Sequence, residues 1–232
     1  MGGDFEFTPG LLLAMWAAGT AAAAAFVAWW RIVGPGYTWL SASTVAVLGG
    51  SALFFERTTL LLVGVLCAIG AVVMGRQQVV AAMLLTVSTL TFLAEAIASG
   101  SAILAVSGAV ALGGITAEML LGHWYLVSPQ LPRWALRRLD VAGAVGMAAD
   151  AVLLVVAGAL AAAGTTLPVM FWGLAGMSVL LMIAVWFSLK EPSYPGVMAA
   201  TGLSYLAVLT SLGATALGRT MLDGSSGFLP FE

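Results

Sequence analysis

The chain predicts an all-α, polytopic integral membrane bundle of about eight transmembrane helices, with both termini outside. Three observations support this. Hydrophobic residues make up 62% of the 232 and charged residues only 8%, whereas a soluble domain carries about a quarter charged residues. Mean hydropathy is +1.08. Apolar runs long enough to cross roughly 30 Å of hydrocarbon recur along the whole length. No water in the bilayer can satisfy the backbone, so these runs must be helices. The ten-residue alternation of a β-barrel is not visible.

Eight runs qualify, at approximately 10–32, 37–54, 58–75, 78–98, 101–126, 140–163, 167–188 and 196–217, and they form a single transmembrane domain. The first follows an acidic MGGDFEF start, which fits a retained span better than a cleavable signal. Gly34-Pro35-Gly36 breaks the first from the second, and Glu56-Arg57 marks a tight hairpin before the third. The 37–75 region reads either as two short spans or as one broken re-entrant pair. Arg76-Gln77-Gln78 precedes the fourth run and Ser99-Gly100-Ser101 follows it. Ser128 to Arg138 is the longest internal loop. Gly164-Thr165-Thr166-Leu167-Pro168 and Lys190-Glu191-Pro192 close the sixth and seventh runs.

Basic residues set the orientation. With the N-terminus outside, the cytoplasmic loops hold Arg31, Arg76, Arg133, Arg137, Arg138 and Lys190, leaving Arg57 and Arg219 outside with Asp4, Glu6, Asp223 and Glu232. A plasma (inner) membrane location follows from this reading. Trp29-Trp30, Trp124-Tyr125 and Trp186-Phe187 end three odd-numbered spans, each with a proline soon after. This is the pattern of an interfacial aromatic belt with a helix stop. The likeness of WWRIVGP, WYLVSP and WFSLKEP fits an internal duplication, and it fits shared interfacial chemistry equally well. Ala21 to Ala25, Gly143-x-x-Gly146 and Gly173-x-x-Gly176 are small-residue stretches that let helices approach closely.

Glu118 and Asp150 interrupt apolar runs, and ionisable groups inside a membrane are rarely accidental. Counted from the run boundaries, both lie about 12–15 Å from the cytoplasmic face, so neighbouring antiparallel helices would bring them to one depth. Two carboxylates in one dry site cannot both ionise cheaply, and such a pair carries a proton or holds a cation. The competing reading is two separate acids, each hydrogen-bonded within the bundle. Tyr125 shares the Glu118 face about 10 Å nearer the cytoplasm and is a relay candidate, whereas His123 lies about 140° away around the helix. An interfacial role suits His123 better. Glu95 reads as an outer gate or as an acid reaching the headgroups. Arg133, Trp134, Arg137 and Arg138 form a basic, amphipathic patch for lipid, anion or partner.

Several function classes drop out. A net charge of -2 without clustered basic residues argues against nucleic acid. One histidine cannot ligate a haem from both sides, and no His/Cys cluster suggests zinc or copper. No metal or other cofactor is predicted. Cys67 is the sole cysteine, so no intrachain disulfide forms. Ser107 and His123 lie about 24 Å apart on one helix, which removes a serine hydrolase. The leading expectation is a small permease or proton/cation-coupled carrier working through Glu118 and Asp150. The alternative is a non-catalytic membrane-anchor subunit of a larger electron-transfer complex, with quinone as its possible cofactor. Expected partners are the lipid bilayer and a homo-oligomer or partner membrane subunits.

Overall fold

In the computed structural model the described residues are 7–98 and 101–224. Asp4, Glu6, Glu232 and the Ser99-Gly100 break lie outside them. All regular elements among the described residues are helices: α1 (Pro9–Trp30), α2 (Pro35–Phe55), α3 (Thr59–Val73), α4 (Gln78–Ala98), α5 (Ala102–Val127), α6 (Trp134–Val156), α7 (Ala159–Ala162), α8 (Thr166–Ser188) and α9 (Tyr194–Gly224). Seven of them are long and apolar enough to cross a membrane; α3, at 15 residues, is shorter. The protein is a multi-pass integral membrane helical bundle.

Local chemistry sets the helix boundaries. Thr8 caps α1 by accepting from the Leu11 amide, and Pro9 occupies the first helical position, where no amide hydrogen is needed. Arg31 closes α1 in the left-handed region at φ 55°, and Gly34-Pro35 starts α2. Thr58 caps α3 in the same way as Thr8 caps α1. Gly158, at φ 76°, ends the α6 segment.

The long helices run alternately up and down. Trp30, Trp39, Trp124, Trp134 and Trp186 gather at one end, called here the tryptophan end. α3 returns the whole way from the Thr58 turn to Gly75, which sits against Trp39 at the start of α2. The 37–75 region is therefore an antiparallel hairpin of two helices, of which α2 is long enough to cross a membrane. Its third helix is short, about 22 Å of rise.

Packing divides the bundle into two rings of consecutive helices. α1, α2, α3 and α4 pack in cyclic order, as do α5, α6, α8 and α9. α1 against α5 is the main seam between the rings. There the backbones touch: a Cβ on Gly19 would lie 1.8 Å from the Ala109 carbonyl oxygen. α5 and α6 also meet backbone to backbone, Gly143 against Gly114 and Ile115, Gly146 against Ala111. The predicted close approach at Gly143-x-x-Gly146 is present, whereas Gly173 and Gly176 face open space. α1 and α5 occupy equivalent places in their rings, so their matching WWRIVGP and WYLVSP ends coincide with the architecture. α8 takes the place of α3, and its WFSLKEP end has no such counterpart.

Candidate functional site

The α5–α6 crossing fixes where the buried acids lie. Gly114 pairs with Gly143, Ala111 with Gly146 and Ser107 with Asp150. Continued the other way, this register sets Glu118 level with Leu139, one residue before Asp140. Asp150 sits level with Ser107, eleven residues back along α5, which is about 16 Å from Glu118 along the axis. The two acids do not share a depth or a partner. The expected depth rested on a sixth span starting at 140, but α6 begins at Trp134. Arg137 and Arg138 belong to its first turns, while Leu136 and Leu139 on the same turns are buried. A charged, amphipathic helix start looks like loop to a count of apolar residues.

Asp150 is engaged in a buried ion pair. Arg219 Nη2 donates to Asp150 Oδ1 at 2.7 Å and Nη1 to Oδ2 at 3.2 Å, a two-pronged contact. Nη2 also donates to the Leu104 carbonyl at 2.7 Å, and Ser107 Oγ donates to Asp150 Oδ1. Both charged side chains are buried, at 1% and 0% exposure. Gly108 makes room, since a Cβ there would lie 2.6 Å from Arg219 Nη2. Arg219 therefore does not lie in an outer loop. It belongs to the last turns of α9, which extends to Gly224 instead of ending near 217. Its signal in the sequence was the run Ala214-Thr-Ala-Leu-Gly-Arg219-Thr-Met-Leu222, apolar on both sides of the charge.

Glu118 is also fully buried. Ser204 Oγ donates to Glu118 Oε2 and lies 2.8 Å from the Ala200 carbonyl. A serine hydroxyl has one hydrogen and two acceptor lone pairs, so it cannot donate to both at once. With Glu118 ionised, Ser204 donates to the carboxylate. With Glu118 protonated, the acid donates to Ser204 and Ser204 donates to Ala200. The same atoms accommodate both states. Among the described residues Glu118 Oε1 has no hydrogen-bond partner, nor does Asp140 Oδ1. Asp140 follows directly on Leu139 and so stands about one residue's rise from the level of Glu118. Asp140 is 2% exposed and lies more than a turn inside α6.

Further buried polar atoms continue toward the tryptophan end. Tyr125 Oη and Tyr37 Oη are buried without hydrogen-bond partners among the described residues. Both rings pack in one apolar cluster with Ala117 and Leu139, the neighbours of Glu118 and Asp140. Thr38 Oγ1, at the start of α2, is similarly unmatched. Such atoms carry hydrogen-bonding capacity that the protein itself leaves unmet.

The remaining candidates separate. His123 is exposed, with Nδ1 3.4 Å from Tyr205 Oη on α9, the residue after Ser204. Glu95 is buried and accepts from Thr58 Oγ1 at 2.8 Å, tying the start of α3 to α4. Arg133 donates to the Pro192 and Ser193 carbonyls at 2.7 and 3.1 Å, and also to Glu191 O. Arg137 donates to Leu189 O at 3.1 Å. These two arginines thus serve the carbonyls after α8. Arg138 instead lies over Trp134 and Trp30, 4.7 and 5.9 Å from their ring centres, and is exposed. Trp134 packs edge-on to Trp30 at 4.9 Å.

Comparison with family models, with curated proteins and with solved structures returns no match to this chain.

Proposed function

We propose that the protein is a proton- or cation-coupled carrier in which Glu118, with Asp140 beside it, holds the coupling ion. The observation that carries this reading is the Glu118–Ser204–Ala200 arrangement, which accepts either protonation state of a fully buried acid by turning one hydroxyl hydrogen, with no heavy atom displaced. Asp140 takes the place that run counting assigned to Asp150. Tyr125 and Tyr37 supply hydroxyls between the acids and the tryptophan end, a route that water completes. Binding or loss of the ion changes the charge of a dry site. It therefore changes the relative free energy of any two packings that differ in water access, and the populations shift accordingly. The seam between the rings at Gly19 and Gly113 is narrow enough to serve as the line about which they rock. The six basic residues at the tryptophan end support a cytoplasmic placement of that end, in a plasma (inner) membrane.

Reconstitution into vesicles with an internal pH dye tests the reading. Wild type should dissipate an imposed gradient, and Glu118→Gln should abolish the flux while inserting and folding normally. Ser204→Ala should slow the flux, and Asp140→Asn should alter its pH profile. Wild-type flux in Glu118→Gln would remove Glu118 from the mechanism.

One observation favours the membrane-anchor reading. Gly173 and Gly176 present a small-residue face on α8 that nothing among the described residues covers. If a partner subunit seats there, native mass spectrometry after gentle extraction recovers a stoichiometric second protein, and Gly176→Leu releases it. Recovery of the chain alone, or only with copies of itself, favours the carrier.

A further inference from the structure

Two lateral grooves open beside the seam between the rings. The first, about 370 Å³, has α1 and α4 on one wall and α5 and α6 on the other. Ala18, Leu93 and Val110 contribute to its nearly wholly apolar lining. The second, also about 370 Å³, lies between α1 and α4 and shares Ala22, Phe26 and Thr89 with the first. Phe26, 63% exposed, lines both and acts as the ridge between them. From Ala18 to Trp30 the first groove follows α1 for about 18 Å. This is close to the ~15 Å of acyl chain in one leaflet, half of the hydrocarbon core.

The first groove carries a charge at one end. Arg138 lines it together with Trp30, at the level of the tryptophan belt, where lipid headgroups lie. Its guanidinium rests on Trp30 and Trp134 and is exposed. Arg133 and Arg137 nearby are committed to backbone carbonyls, as described above. The groove therefore presents a positioned cation above an apolar cleft one leaflet deep, next to a second cleft of equal volume. We infer that the seam between the rings binds an anionic diacyl phospholipid, its chains on either side of Phe26 and its phosphate on Arg138. The site stands independently of any ion on Glu118.

Native mass spectrometry on the full chain, in micelles containing equal phosphatidylglycerol and phosphatidylcholine, tests this. Wild type should retain the anionic lipid over the zwitterionic one by about fivefold, the order expected for one basic contact near the surface. Arg138→Gln should bring that ratio to about one, and Arg138→Lys should keep it above one. Ala22→Phe, which fills both grooves and leaves the charge alone, should reduce retention of both lipids together. This variant keeps the test open if Arg138→Gln fails to fold. Equal retention by wild type, an unchanged preference in Arg138→Gln, or unchanged retention in Ala22→Phe would overturn the site.

Discussion

The ring of α1 to α4 and the ring of α5, α6, α8 and α9 share an architecture but differ in what they bury. The first has a core dominated by alanine, from Ala14 through Ala81, with Val45, Leu61, Leu85 and Phe92 filling the gaps. Its acidic groups sit at the helix ends, where Glu56 accepts from Thr8 and Glu95 from Thr58. The second buries Glu118, Asp140, Asp150 and Arg219 inside its helices. Four up-and-down helices of this kind therefore pack without any charge in their middle. The charges of the second ring are not a requirement of the fold, and they need another account. Asp150 and Arg219 neutralise one another, so their account is structural. Among the described residues no cation pairs with Glu118 or Asp140, and this asymmetry is the reason for placing function there.

The largest effect should come from the ion pair. Asp150→Ala leaves Arg219 charged and uncompensated in a dry interior, and unfolding in mild detergent should register a loss of about 3–5 kcal/mol. The joint replacement of Asp150 by Leu and Arg219 by Met should recover most of that loss. If it does not, the second ring needs the charges after all. Next in size is the α5–α6 crossing. Gly143→Leu forces a side chain into the α5 backbone and should cost about 1–3 kcal/mol, whereas Gly50→Leu in the first ring meets open space and should be close to neutral in the same melt. Glu95→Gln weakens one bond to Thr58 at a helix end, and thermal stability should fall by only about 0.5–1.5 kcal/mol. The smallest change in stability belongs to Glu118→Gln, because an amide can still meet Ser204. A large loss there would make Glu118 structural, like Asp150, and would remove the distinction drawn between the two acids.

Much of this molecule is legible along the chain, because hydrocarbon makes helix formation a local matter. Each span must satisfy its own backbone, so apolar length, caps such as Thr8 and Thr58, and breaks such as Gly34-Pro35 locate the helices. The tryptophan belt and the close approach at Gly143 and Gly146 follow from residue type in the same way. The seven-residue spacing of Glu118 and Tyr125 sets them on one face of α5, and both are buried. The pairing of the acids depended instead on register between helices. An apolar count started α6 six residues late and so moved Asp150 toward Glu118 by about 9 Å. It also ended α9 before Arg219, which hid the ion partner. A buried charge takes its partner from whichever helix passes at the same depth, and that depth depends on how neighbouring backbones interlock. Segment composition identifies the class and the span count to within one short helix. The assignment of Asp150 to Arg219, and of Glu118 to Ser204 and Asp140, arises only when α5, α6 and α9 pack together.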